Sequence, residues 1–178
     1  MYLISYSIAI LIMAVTLLML GTAVVNLFVR TPYVPTRKRV VHHLIDIAGL
    51  KDGEKVYDLG CGDGRLLLEA EKKAKVETYG YELAPIPYLL ALAKKWSSKS
   101  KMNLFMKNFY HTNLQNANVI FCYLGPDVMQ KLAPKFKKEC QKGTRIFSHT
   151  FHMEGFTPVK TWPKNPQLKL PTVYLYQV

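Results

Sequence analysis

The sequence predicts an α/β protein, a doubly wound and mostly parallel sheet, preceded by one long apolar helix. Three observations carry this. Short β-prone segments alternate with helix-period segments from residue 37 onward, which is the pattern of a parallel sheet with crossover helices. The first of those strands runs straight into closely spaced glycines that open a helix, and the second ends on an acid. No charged side chain occurs in residues 1–29.

That uncharged run exceeds the roughly 20 apolar residues a membrane span needs, and its Ser5, Ser7, Thr16 and Gly21 are tolerated in membrane helices. A cleaved signal peptide would want a basic leading region and a small-residue cleavage site, and neither is present. Residues 1–29 are expected to be a retained transmembrane anchor. No Lys or Arg precedes the span, whereas Arg30, Arg37, Lys38 and Arg39 follow it, so the positive-inside rule puts the soluble part in the cytoplasm. The anchor is expected to act as a tether that need not touch the active site, so deleting residues 1–29 should spare activity on a soluble peptide.

Residues 30–36 form a stiff linker, because Pro32 and Pro35 fix their own φ and extend their predecessors. Thr36 is a suitable N-cap for a helix over 36–48, with Val40, Val41, Leu44, Ile45 and Ala48 on one face and Gly49 at its end. The first strand covers 55–58 and a helix covers 64–73. The second strand covers 77–81, and a helix begins near Pro85 and ends in basic residues after Trp96. The third strand is 103–106, and residues 119–123 read as a fully buried fourth. A helix over 126–140, a fifth strand over 144–148 and an alternating last strand over 173–176 complete the domain, 37–178.

The glycine loop reads Val56-Tyr57-Asp58-Leu59-Gly60-Cys61-Gly62-Asp63-Gly64-Arg65. A dinucleotide fold wants G-x-G-x-x-G, but the spacing here is G-x-G-x-G, with Asp58 before the first glycine and Asp63 inside the loop. Two carboxylates make a poor pyrophosphate cradle. They suit a ligand whose amino group and sulfonium are positive, namely S-adenosylmethionine (SAM). Glu82 ends the second strand, where a carboxylate can accept both hydroxyls of a ribose. The plain alternative is a glycine-rich strand-to-helix turn without a ligand.

The chain carries 24 Lys and Arg against 12 Asp and Glu, a formal charge of +12 that lies wholly after residue 29. Such a surface favours anionic lipid, nucleic acid or an acidic protein. Runs such as Lys135-Phe136-Lys137-Lys138 lack the aromatic interleaving of a single-strand nucleic-acid platform, and a solvated helix face explains each equally well. Three scattered cysteines, Cys61, Cys122 and Cys140, argue against a disulfide framework or a zinc site.

With these residues in view, the chain resembles the class I SAM-dependent methyltransferases. More narrowly, it resembles the small protein-lysine methyltransferases, which include a broad-specificity archaeal enzyme and the mitochondrial enzymes acting on the adenine nucleotide translocase and the ATP synthase c-subunit. The resemblance rests on Tyr33-Val34-Pro35-Thr36, the glycine loop, Gly80-Tyr81-Glu82 and Leu132-Ala133-Pro134-Lys135. It continues through Lys142-Gly143-Thr144-Arg145-Ile146, Ser148-His149 and Thr172-Val173-Tyr174-Leu175-Tyr176. It implies that Asp58, Gly60 and Gly62, in a loop completed by Cys61 and Gly64, line the methionine end of SAM, and that Glu82 holds the ribose. It further implies that Asn108 bonds the adenine amino group beside Phe109, that Cys122 abuts the cofactor, and that Tyr33, Val34 and Thr36 close over it.

The resemblance also implies that the acceptor amine and the methyl meet at Cys122-Tyr123-Leu124. Tyr123, Phe151 and Phe109 can supply an aromatic wall that desolvates a lysine, and His149 is a base, an orienting residue or a plain structural histidine. Tyr123, His149 and Phe151 are therefore the expected catalytic residues. Two departures from the family leave acceptor choice open: Thr150 stands where relatives often carry an acid, and residues 155–167 are short and proline-rich. The expected partner is a membrane-associated protein bearing an accessible lysine. A phospholipid headgroup or another small amine is the rival substrate, and a non-catalytic SAM-binding protein is the rival class. A nucleic-acid amino-methyltransferase is disfavoured because Tyr123-Leu124-Gly125-Pro126 lacks the Asn/Asp-Pro-Pro-aromatic motif.

Overall fold

The computed structural model describes residues 2–29 and 34–178. A 28-residue helix, α1 (Tyr2–Val29), leads into the domain. The domain runs α2 (Lys38–Ala48), β1 (Lys55–Leu59), α3 (Arg65–Lys73), β2 (Glu77–Glu82), α4 (Pro85–Ser97) and β3 (Asn103–Met106). A short 3-10 turn follows at Phe109–His111, then β4 (Val119–Cys122), α5 (Pro126–Glu139), β5 (Arg145–His149), β6 (Lys160–Trp162) and β7 (Val173–Gln177). The sheet order is β3-β2-β1-β4-β5-β7-β6, with β1 to β5 parallel and β7 antiparallel to both β5 and β6. The strand order reverses between β1 and β4, which places the ligand crevice beyond their carboxyl ends.

Strand alternation builds two cores. Tyr57, Leu59, Ile120, Cys122 and Ile146 point to one face and pack on Val128, Met129, Leu132, Ala133 and Phe136 of α5. Their neighbours Val56, Val119, Phe121 and Phe147 point to the other and pack on Val40, Val41, Leu44 and Ile45 of α2 and on Leu66, Leu67 and Ala70 of α3. Gly80 packs closely against the second of these cores. A Cβ there would sit 2.7 Å from Leu67 Cδ1, 2.8 Å from Cys61 Sγ and 2.9 Å from Leu104 Cδ2. Gly80→Ala is therefore expected to destabilise the domain by about 1–3 kcal/mol, read as a lower urea midpoint with unchanged slope.

Local expectations are corrected in four places. Thr36 is not an N-cap: α2 begins at Lys38 behind Arg37, with no side-chain cap hydrogen bond, while Gly49 does end it in the left-handed region at φ 54°. Gly64 is not the first helical residue but the cap before α3, at φ 73°. Tyr123 lies outside β4, which stops at Cys122 because β5 pairs no further than Ser148 opposite it. The proline-rich stretch contains a three-residue edge strand, β6, that the sequence reading passed over. Its brevity hides any period, and its pairing comes from β7 alone.

Segment 4–25 of α1 (Ile4–Val25) is 22 residues long with mean hydropathy 2.7. It is long and apolar enough to cross a membrane, by length and composition. Only Gly21, Thr22 and Val25 in its last turns are partly covered among residues 4–25, and Leu18, at 36% exposed, borders the same stripe. They meet α4: the Gly21 Cβ position lies 3.7 Å from Pro85 Cγ, and the Thr22 hydroxyl accepts the Ile86 N–H at 3.2 Å. That amide is one of the free donors at the start of α4.

Candidate active site

Beyond the carboxyl ends of β1, β2, β4 and β5 lies a cavity of about 320 Å³. The glycine loop forms its floor. Gly60 turns at φ 81° and Gly62 at φ 55°, in a region other residues rarely adopt. A Cβ on Gly60 would lie 3.0 Å from Leu124 Cδ2, so the bare backbone keeps this wall of the cavity close. The amides of Gly60 and Cys61 both donate to the Tyr81 carbonyl, at 2.9 and 3.0 Å, which pins the loop to the end of β2.

Glu82 works from the opposite side. One carboxylate oxygen accepts the Gly62 N–H at 2.9 Å and the other accepts the Ala84 N–H at 2.8 Å, so it ties the loop to the turn before α4 while lining the cavity. Asp58 is 7% exposed on the same wall. Burial, and then the carboxylates of Glu82 and Asp63, push its pKa up to about 7. A buried acid so crowded by negative charge is poised for a cationic group.

Asp63 has a different part from the one expected. Its carboxylate takes Arg65 Nε at 2.8 Å, Arg65 Nη2 at 2.7 Å and Lys94 Nζ at 2.6 Å. Burial alone would raise its pKa, but these two cations win and hold it down at about 2. Already neutralised, it has little charge left for a ligand and instead latches the loop to α4. Arg65 also donates to the Thr36 carbonyl at 2.6 Å, which brings the linker segment over the cavity.

The expected cofactor residues Thr36, Asp58, Gly60, Cys61, Gly62, Glu82, Phe109 and Cys122 all line this cavity. Gly64 does not: its Cβ position faces Ala91 Cβ and Met102 Sδ at 3.4 Å, so it serves helix packing. Asn108 is also absent from the lining, and its side-chain oxygen caps the short turn by accepting the Tyr110 N–H at 3.0 Å. Tyr33 lies outside the described residues. Burial drives the thiols of Cys61 and Cys122 well above the usual range, so both stay neutral at physiological pH.

Tyr123, His149 and Phe151 converge at the mouth. The Tyr123 ring lies 4.1 Å from that of His149 and 6.2 Å from that of Phe151. Tyr123 is 37% exposed, whereas His149 is 6% exposed. Burial lowers the His149 pKa to about 4, and its Nδ1 has no hydrogen-bond partner. It is therefore a neutral imidazole, which makes a proton-holding base of it unfavourable. Val34, expected to close over the cofactor, lines the cavity, as do Val25, Pro35, Leu83 and Ala84, which the sequence pattern does not single out. Val25, near the end of α1, forms part of the cavity wall, a contact that a bare tether does not need. One more apolar residue in a mostly apolar run carried no signal.

This arrangement fits SAM. The buried, charge-crowded Asp58 answers an ammonium, the glycine turns let a ligand approach the backbone, and Glu82 offers paired acceptors. A sequence profile of the ANTKMT methyltransferase domain matches residues 58–160. The chain belongs to this family. Like its family, it is a SAM-dependent methyltransferase. It is 35% identical over 150 residues to a protein-lysine N-methyltransferase of Saccharolobus islandicus, an alignment covering 83% of this chain and 93% of that protein. It is 30% identical to the adenine nucleotide translocase lysine N-methyltransferase of Mus musculus, over 80% of this chain and 63% of the longer mouse protein. Among solved structures, an RNA methyltransferase from Salinibacter ruber in complex with S-adenosyl-L-homocysteine superimposes with TM-score 0.76 at 28% identity, covering 82% of this chain and 94% of that one.

Proposed function

We propose that this family member is a membrane-anchored protein-lysine N-methyltransferase that acts on membrane-associated proteins from the cytoplasmic side. Residues 1–29 are its anchor, 30–36 its linker and 37–178 its catalytic domain. The observation that carries this reading is the aromatic mouth: Tyr123, Phe151 and a neutral His149 frame a partly closed opening onto the cofactor cavity. The lysine N-methyltransferase activities of the Saccharolobus and mouse relatives, and an apolar helix of membrane-spanning length, support it.

Bound SAM supplies a methyl carbon activated by the adjoining sulfonium. Asp58 and the backbone of Gly60 and Gly62 would hold its amino-acid end and Glu82 its ribose, and its sulfur would leave as the neutral thioether once the methyl has moved to the amine. Transfer to lysine requires a neutral amine aligned with that carbon, which is chiefly a matter of positioning. The aromatic mouth desolvates the incoming ammonium and lowers its pKa. His149, with a pKa of about 4, adds no opposing positive charge, and the lysine proton leaves to water past the half-exposed Tyr123. The same aromatic faces attract the methylated cationic product.

The test incubates full-length protein and methyl-labelled SAM with host membranes and total RNA, then separates lipid, RNA and hydrolysed protein. Label in methyllysine is the expected result. Label confined to lipid would replace the acceptor with a headgroup amine, and label confined to RNA would side with an activity like that of the Salinibacter RNA methyltransferase. No label in any fraction would leave a SAM-binding protein without turnover.

A further inference from the structure

A second cavity, of about 490 Å³, lies on the far side of the aromatic mouth and shares Tyr123, His149 and the 34–36 segment with the cofactor cavity. Its rim carries Arg37, Lys164 and Lys169, and no Asp or Glu lines it among the described residues. Its outer wall is held firm. Asn165 and Leu170 exchange both backbone hydrogen bonds at 2.9 Å, and Arg39 Nη1 donates to the Leu168 carbonyl at 3.1 Å. Pro35, Pro166 and Pro171 stiffen it further.

Two further features mark the junction. Thr150, a β-branched residue, is held at φ 75° with its N–H donating to the Thr172 carbonyl at 2.8 Å. Such strain persists only where surroundings enforce it, and it clusters at functional sites. His149, 94% buried, lines both cavities and leaves Nδ1 unpartnered.

We infer that this groove seats the backbone around the acceptor residue and selects lysines flanked by acidic side chains. The inference rests on the lysine reading above and deepens it. A lysine-bearing segment brings positive charge to a rim that already holds three cations. Asp or Glu beside the acceptor turns that repulsion into attraction, because charge complementarity across a docking surface sets partner choice. The groove is concave, so an extended chain reaches its floor at Tyr123 and His149, whereas a flat anionic bilayer meets only the rim.

The test uses full-length protein in neutral-lipid nanodiscs and short peptides with one central lysine, flanked by Glu, Gln or Lys. Peptide binding is read by fluorescence anisotropy and turnover by methyl label. Glu-flanked peptides are expected to bind about tenfold more tightly than Gln-flanked ones, with the difference in KM rather than kcat and fading as salt rises. The Lys164→Glu/Lys169→Glu protein should lose that preference with SAM affinity unchanged. The Lys101→Glu/Lys107→Glu protein, whose changes flank β3 and alter net charge equally, should keep it.

Equal affinity for Glu- and Gln-flanked peptides would overturn the proposal. So would a preference that both double variants lose alike, which would reduce it to net charge. Phosphatidylglycerol vesicles captured through Lys164 and Lys169 in place of acidic peptides would assign the rim to lipid. Binding is read separately from turnover, so acidic-peptide binding without methyllysine would fail the lysine reading alone.

Discussion

The Asp58→Asn protein, without cofactor, is expected to melt several degrees above the parent at pH 8 and to match it at pH 4. It should nevertheless bind SAM at least about 100-fold more weakly, the loss of a buried charge-assisted contact worth about 3 kcal/mol. The opposite signs have one cause. The folded-state pKa of Asp58, about 7, lies above the 3.8 of a free aspartate. Its contribution to stability is therefore full below about pH 4 and lost as pH rises through 7. At pH 8 the ionised group costs the empty protein on the order of 4 kcal/mol, from a rise of about three pKa units at 1.36 kcal/mol each. Asparagine carries no charge and escapes that cost. The ammonium of SAM offsets it in the parent, so binding near neutral pH releases a proton. Calorimetric titration in buffers of differing ionisation heat measures that release, and scanning calorimetry measures the melting points. Glu82→Gln tells the two carboxylates apart: it replaces an acceptor that holds the Gly62 or Ala84 amide, so it should weaken SAM binding and lower stability together. A cofactor affinity unchanged in both variants would overturn the site.

Removing residues 1–29 is expected to affect two separate quantities. Methylation of membrane-embedded proteins should fall by about 10²-fold or more, because a tether converts an encounter in bulk into one at high local concentration. SAM affinity should also fall by about fivefold, because Val25 leaves the cavity wall and a half-buried apolar side chain is worth about 1 kcal/mol. The second effect sets this expectation apart from a passive tether. Thr22→Val tests the contact without a deletion: it takes the acceptor from the Ile86 amide, at a cost of about 1–3 kcal/mol, while Thr22→Ser should restore it. Cofactor affinity measured in nanodiscs and with the truncated protein decides the matter. An unchanged value in both would make α1 a tether and nothing more.

Where the physics is local, the fold is legible in the order of the residues. The short β-prone strands β1, β2, β4 and β5, the apolar face of α2 and the left-handed Gly49 were all visible, because burial and positive φ each demand particular residue types. So was much of the cavity lining, since many of its residues sit within a few positions of the ends of β1, β2, β4 and β5. Spacing was silent about which polar groups find each other. Asp63 and Asn108 looked free for a ligand, but Lys94, 31 positions away, reaches the first, and the adjoining turn takes the second. Pairing outcomes depend on where side chains end in space, and β6 likewise exists only because β7 is beside it.

By itself the sequence determined the parallel α/β core, the glycine loop with its two acids and an apolar leading helix, because each follows from residue type and short-range period. Tertiary structure alone decided that Asp63 pairs with Arg65 and Lys94 and so latches the glycine loop to α4. It also decided that Gly64 packs helices, that His149 stays neutral at the junction of two cavities, and that Val25 of the leading helix walls the cofactor site. The reason is that burial and charge pairing are set by neighbours distant in the chain, and only folding brings those neighbours together.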